Sequence, residues 1–299
     1  MDKNTKIGFI GQGFIGKNLA DNFSDRGFTN LVRYGLQAEY ADNKEKIKEC
    51  KAVFVAVPTP TTPEGFDGSI LRSVLNLTGE DQIVLIKSTV PPDFMRKLHE
   101  EFKDRYILSC PEFLDENTAR KNTDYPDHNI IGVPLYSEEW LSKAKQILSI
   151  LPQANYDEVM LYEEASLVKY GHNSFFYFKN IFFNLLHDLV IAYGGDPEIV
   201  RKSITMDKRI TETHTFAYHK GGRGAGGHCL IKDFAMFKEM YLKKLADDPI
   251  GKDILERIEK KNKELLIKSN KNLDLLSGVY GSVDDNPETS QDNILQPAI

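Results

Sequence analysis

The first half of the chain alternates short apolar runs with amphipathic stretches, and the second half gives up that rhythm for a longer helical one. Apolar runs at Lys6–Gly11, Asn30–Tyr34, Ala52–Val57, Gln82–Ile86, Tyr106–Ser109 and Asn129–Val133 have the length of buried strands. Helix-compatible segments follow Gly16, span Asn43–Glu49 and follow Pro91-Pro92. The alternation continues through Leu151 and predicts an α/β fold, a doubly wound parallel sheet of the Rossmann type, over residues 1–155. From Glu163 the pattern changes. Ala165, Val168, His172, Phe175, Phe176, Lys179, Phe182, Phe183, Leu186 and Leu189 recur at helical spacing until Gly194-Gly195 stops the run. A helix of about 27 residues reaches about 40 Å. It is expected to be the spine of an all-α domain over 156–272, joined by helices at Pro197–Thr205, Asp233–Leu242 and Lys252–Lys268. The remainder, 273–299, turns acidic, polar and poor in aromatics after Ser277 and is expected to be a disordered tail.

Composition narrows the function classes. The 299 residues are 41% hydrophobic and 27% charged, with a formal net charge of −6. No apolar run approaches the roughly 20 residues of a membrane span, and no basic face is offered to nucleic acid, so neither a membrane nor a polynucleotide partner is implied. Cys50, Cys110 and Cys229 are far apart and form no C-x-x-C pair, which argues against a disulfide framework or a metal site. Met1–Lys6 is polar and runs straight into a strand, leaving no room for a signal peptide, and the expected compartment is the cytoplasm.

Candidate chemistry lies at the ends of the apolar runs. Gly11-Gln12-Gly13-Phe14-Ile15-Gly16 follows a strand and opens a helix, the setting in which three glycines allow a tight turn, a pyrophosphate approach and close helix packing. The second strand should end in an acid that grips the adenosine ribose, but the chain offers Arg33-Tyr34-Gly35-Leu36. Either NAD is held without that acid, with Glu39 or Asp42 substituting, or Arg33 meets the 2′-phosphate of NADP. Pro58–Pro63, Lys87–Val90 and Cys110–Glu116 place hydroxyls and carboxylates at strand carboxyl ends, where open α/β sheets bind ligands. Lys169 and Asn173 interrupt the apolar face of the long helix four residues apart, so both can face one site. Finally, Gly221–Asp233 reads G-G-R-G-A-G-G-H-C-L-I-K-D. Its glycines cannot build a core but allow backbone and ligand to approach, and they deliver one thiol, Cys229, close to Lys232 and Asp233.

Six motifs in this order, G-Q-G-F-I-G, V-P-T-P-T (Val57–Thr61), K-S-T-V-P (Lys87–Pro91), P-E-F-L (Pro111–Leu114), K-x-x-x-N (Lys169–Asn173) and G-G-H-C-L-I-K-D (Gly226–Asp233), resemble the UDP-glucose/GDP-mannose dehydrogenase family of nucleotide-sugar dehydrogenases. The resemblance implies a double oxidation of a sugar C6 alcohol to the acid with NAD, NADP remaining open. It implies Cys229 as the nucleophile that captures the aldehyde and carries a thioester. Lys169 and Asn173 would stabilise oxyanion character, Asp233 would hold a water, Glu112 would serve thioester hydrolysis, and Thr89 would lie near the nicotinamide. Gly11, Gly13, Phe14, Ile15, Gly16, Arg33, Thr59, Thr89 and Glu116 are the implied cofactor contacts. Phe113, Leu114, Arg209 and Gly226 are the implied substrate contacts, with Arg209 reaching across a homodimer formed by the long helix. The chain ends where that family begins a third domain that grips the nucleotide, so a partner surface, a smaller substrate or reduced activity is expected. Two other readings stay open: a two-electron hydroxyacid or sugar-acid dehydrogenase, and a non-catalytic paralogue that dimerises with a longer chain.

Overall fold

The computed structural model describes residues 1–114 and 118–282. The chain divides into two compact units, Met1–Pro60 with Phe66–His172, and Thr61–Gly65 with the chain from Asn173 onward.

Unit 1 is built on a seven-stranded sheet. In chain order its elements are β1 (Ile7–Ile10), α1 (Phe14–Asp25), β2 (Leu31–Tyr34), α2 (Ala38–Ala41), a 3-10 turn at Lys44–Glu49 and β3 (Ala52–Val55). After a small hairpin, β4 (Thr61–Thr62) and β5 (Gly65–Phe66), come α3 (Ser69–Leu75), β6 (Ile83–Ile86), α4 (Pro92–Glu101), β7 (Tyr106–Ser109), α5 (Ala119–Asp124), β8 (His128–Val133), α6 (Glu138–Leu148) and β9 (Tyr156–Leu161). The sheet order is β2-β1-β3-β6-β7-β8-β9. The runs are apolar throughout because both faces are covered. Phe9, Phe54 and Leu85 enter one core with Phe23 and Trp140, while Ile10, Val53 and Val84 enter the other with Met95 and Tyr162. Each strand therefore feeds two cores with a period of two.

Two features correct the expected architecture. The sheet is not wholly parallel, since β8 pairs antiparallel with β7 and β9 then runs parallel to β8. β9 also lies beyond the expected boundary at 155 and completes the sheet.

Unit 2 is helical. It takes the long helix α7 (Tyr162–Ala192) from Asn173, then α8 (Pro197–Thr205), a hairpin of β10 (Tyr218–His219) and β11 (Gly222–Arg223), α9 (Gly227–Lys244), α10 (Pro249–Lys268) and α11 (Leu273–Tyr280). Its core joins Tyr177 and Ile181 of α7 to Phe234 of α9 and to Leu255 and Leu265 of α10. The Tyr177 and Phe234 rings stack at 3.9 Å. α11 corrects the expected tail: Leu276 and Val279 are buried against Ile231 and Leu266, so order continues to Tyr280.

Candidate active site

The residues singled out by motif gather in two places, one in each unit. In unit 1 the glycine turn joins β1 to α1. Gly11 has φ +89°, and a Cβ on it would stand 2.1 Å from the Ala56 carbonyl oxygen. A Cβ on Gly16 would stand 1.9 Å from the Gly11 carbonyl oxygen, whereas one on Gly13 would meet nothing within 4 Å. The first glycine thus makes the turn, the third packs the helix, and the second leaves room. No side chain caps α1 at Gly13, so the first N–H groups of the helix, beside Phe14 and Ile15, remain available to an anion. These features fit the pyrophosphate of a dinucleotide. Arg33, at the end of β2, is held by Asp21 at 2.5 Å.

The loops after β3 and β6 close on each other. Ser88 Oγ donates to the Val57 carbonyl at 2.6 Å and accepts from its N–H at 3.1 Å, and Thr59 Oγ1 donates to the Thr89 carbonyl at 2.9 Å. The Thr59 hydroxyl therefore ties two strand ends together, 6% exposed. Next to them is a largely buried ion pair. Lys87 Nζ lies 2.8 Å from Glu112 Oε2 and 3.6 Å from Cys110 Sγ, while Glu112 Oε1 accepts from the Phe113 N–H at 2.9 Å. Burial opposes the charge on Lys87, but Cys110 and Glu112 together outweigh it and raise its pKa. Burial likewise opposes the charge on Glu112, and Lys87, the Phe113 amide and Lys169 bring its pKa below the ordinary carboxylate value. Burial pushes the Cys110 thiol up, so it is a poor nucleophile. Lys169, buried on α7, has its Nζ 5.0 Å from the centre of the Phe113 ring, which also meets His128 and His172 edge-on. Leu114 follows at the edge of the described segment, and Glu116 lies outside the described residues.

In unit 2, Asn173 Nδ2 donates to Asp233 Oδ2 at 2.6 Å, and Lys232 Nζ donates to Asp233 Oδ1 at 2.5 Å. Asp233 is 1% exposed, so its charge is taken out of water but answered on both oxygens. Thr61 Oγ1 donates to the Lys232 carbonyl at 3.2 Å. Cys229 is exposed and sits in the first turn of α9, where free N–H groups and the positive end of the helix favour an anion. His228 beside it is exposed. Arg209 is exposed beyond α8 and pairs with Asp207 at 2.6 Å.

The glycine loop before Cys229 does something other than what its composition suggests. Three of its glycines face protein. A Cβ on Gly222 would stand 2.6 Å from Ser269 Oγ, one on Gly224 2.8 Å from Asn262 Oδ1, and one on Gly226 2.3 Å from Asn272 Oδ1. Asn262 accepts from the Ala225 N–H at 2.7 Å and donates to its carbonyl at 3.0 Å. Lys271 Nζ donates to the Gly224 carbonyl at 2.9 Å, and Asn272 Oδ1 accepts from the Gly227 N–H at 3.0 Å. Burial lowers the pKa of Lys271 to about 8. The loop is thus a rigid tether, clamped by the end of α10, that fixes the first turn of α9. No motif pointed to Asn262, Lys271 or Asn272, because their role depends on a contact about 40 positions away in sequence.

Among the described residues, no group of three or more His, Cys, Asp or Glu side chains could hold a metal ion, and no helix is long and apolar enough to cross a membrane. Residues 30–149 match the NAD binding domain of the UDP-glucose/GDP-mannose dehydrogenase family, and residues 163–264 match its central domain. The chain belongs to this family. Within the UDP-glucose/GDP-mannose dehydrogenases, it is 31% identical over 252 residues to a UDP-glucose 6-dehydrogenase of Rickettsia bellii, covering 80% of this chain and 55% of that one. The chain spans about half the length of the curated relatives it matches. A UDP-glucose dehydrogenase structure from Pyrobaculum islandicum superposes with a TM-score of 0.72 at 23% identity, over 89% of this chain and 70% of that one. A 3-hydroxyisobutyrate dehydrogenase from Mycobacterium tuberculosis shares the fold at 17% identity and TM-score 0.65, over 88% and 96%. Fold alone therefore does not separate a nucleotide-sugar dehydrogenase from a hydroxyacid dehydrogenase. The NAD-binding assignment of residues 30–149 agrees with the glycine turn just before them.

Proposed function

We propose that this chain oxidises the C6 alcohol of a nucleotide sugar, UDP-glucose or a close analogue, to the carboxylic acid in the cytoplasm. The observation that carries this reading is an exposed thiol, Cys229, at the N-terminus of α9, a helix that also carries the buried Asp233 bonded to Asn173 of α7. NAD held at the Gly11–Gly16 turn would supply the hydride acceptor for each oxidation. The Cys229 thiolate adds to the aldehyde carbon as a thiohemiacetal, which keeps the aldehyde from leaving, and the second oxidation turns that adduct into a thioester. Water attacks the thioester, the C–S bond breaks, and the thiol is regenerated with the acid. Overall, alcohol, water and two NAD yield carboxylate, two NADH and three protons.

The side chains divide the remaining work. Lys169 and Asn173, four apart on α7, stabilise negative charge on the C6 oxygen. Asp233, held between Asn173 and Lys232, positions a water close to the reacting carbon. Glu112 already accepts from Lys87 and from the Phe113 N–H, and its lowered pKa makes it a weak base. It acts by orienting the hydrolytic water rather than by holding its proton. The test is turnover with UDP-, GDP- and unactivated sugars, followed as NADH absorbance. The reading expects activity confined to nucleotide sugars, and turnover of free hydroxyacids alone would replace it with the two-electron alternative.

The same reading includes a homodimer through α7. Phe175, Phe182 and Leu189, 63%, 57% and 54% exposed, stand at seven-residue intervals and form an apolar stripe like the seam of a helix pair. Phe182→Glu is expected to halve the solution mass measured by light scattering. A monomeric wild-type chain would remove the dimer from the account.

A further inference from the structure

We propose that the end of β2 meets the adenosine ribose of the cofactor with the neutral amide of Gln37 in place of a carboxylate, so that this chain binds NADP and NAD with affinities within about tenfold of each other. The inference rests on the dinucleotide reading of the glycine turn and is independent of the chemistry at Cys229.

The position is set by the sheet. β1 pairs with β2 so that Ile10 lies beside Tyr34, and the Gly11 N–H donates to the Tyr34 carbonyl at 2.9 Å. Residue 35 therefore stands level with the glycine turn, about 20 residues after it, where dinucleotide-binding sheets carry the acid that grips the ribose hydroxyls. Here that residue is a buried glycine. A Cβ on Gly35 would stand 2.4 Å from Gln37 Oε1 and 3.3 Å from the Gln12 side chain. The volume in which an acid's side chain would begin is thus filled by the Gln37 amide, folded back from two residues further on. Gln37 Nε2 donates to the Gln12 carbonyl at 3.3 Å, which fixes the amide across the gap between the strand end and the glycine turn. Gln12 is itself buried, 5% exposed, and its Oε1 makes no hydrogen bond. A buried acceptor without a donor is costly, and a ribose hydroxyl supplies a donor.

The surrounding charge points the same way. A carboxylate at this strand end would discriminate twice, by accepting from the 2′-hydroxyl and by repelling a 2′-phosphate. Gln37 keeps the first interaction through Oε1 and lacks the second, while its amide N–H can turn to donate to a phosphate oxygen. Between α1 and β2, Asp21 is answered by both Arg33 at 2.5 Å and Lys17 at 2.7 Å, a trio with one excess positive charge. Leu36, between Gly35 and Gln37, is almost fully exposed and adds no charge. Glu39 and Asp42, on and just after α2, are exposed side chains whose charge is screened by solvent.

Titration of the full chain with NADH and with NADPH, followed by cofactor fluorescence, tests this directly. The expected wild-type dissociation constants agree within about tenfold. Gln37→Glu, which keeps the side chain's size and reach, is expected to weaken NADPH about a hundredfold and to leave NADH within about threefold. Gly35→Asp is expected to move the ratio in the same direction, since the exposed Gln37 side chain can yield by giving up its 3.3 Å bond to the Gln12 carbonyl. A wild-type preference for NADH of a hundredfold or more, or a Gln37→Glu change equal for both dinucleotides, overturns the assignment to Gln37. Binding of neither dinucleotide overturns it together with the dinucleotide reading of the glycine turn, so the two failures are told apart.

Discussion

Cys229→Ala is expected to abolish acid formation, lowering its rate by roughly four orders of magnitude, while NADH binding stays at the wild-type value. The thiol is exposed on the first turn of α9 and contributes nothing to a core, so its loss leaves the fold intact. Its chemical task is specific. Without a nucleophile the aldehyde from the first oxidation is not held as a thiohemiacetal and no thioester forms. The variant should release aldehyde, detectable with a carbonyl-trapping reagent, in place of acid. Cys50 and Cys110 cannot substitute, because burial holds both thiols above their ordinary pKa and both side chains are enclosed. Acid formation by the variant at the wild-type rate would remove the thiol from the mechanism.

Lys87→Met should be the most destabilising single change in the site, costing about 3 kcal/mol at neutral pH in urea unfolding. Lys87 is 7% exposed and its ammonium lies 2.8 Å from Glu112, so removing it strands a carboxylate in a poorly solvated place. The pH dependence separates this cause from lost packing. In the wild type, Glu112 has a folded pKa below its ordinary value of 4.5, so its ionised form contributes stability that is present above about 4.5 and lost as pH falls through the lower folded value. In the variant, burial acts without the answering cation and raises that pKa, which makes the penalty a property of the ionised form. The gap between the two proteins should therefore narrow as pH falls from 7 toward 4. Lys87→Met with Glu112→Gln should recover most of the loss, because no unanswered charge remains. A gap that does not change with pH, and is not recovered by the double variant, would mean that the loss is one of packing.

The strands of unit 1 were legible because both sheet faces are covered, which makes each strand a continuous apolar run. The reversal of β8 and β9 was not, since periodicity carries no sign for strand direction. β9 escaped altogether: Tyr156-Asp157-Glu158 are polar and largely exposed at its outer end, and it is held by pairing with β8 along six residues. α11 was hidden by the acidic residues that follow it. Asn173 and Asp233 stand in separate sequence motifs, and the structure joins them directly. The purpose of the glycines could not be read. Composition suggested close approach of a ligand, whereas Gly222, Gly224 and Gly226 accommodate Ser269, Asn262, Lys271 and Asn272. Lys87 stood in a recognised motif without a role because its partner, Glu112, comes from the next strand end.

A single thiol, Cys229, is expected to carry a sugar alcohol through both oxidations. The most direct measurement is the ratio of NADH formed to substrate consumed with a limiting amount of nucleotide sugar, with the product identified as acid. Two NADH are expected for each sugar, with no aldehyde accumulating. A ratio of one, with aldehyde or ketone as the product, would contradict it.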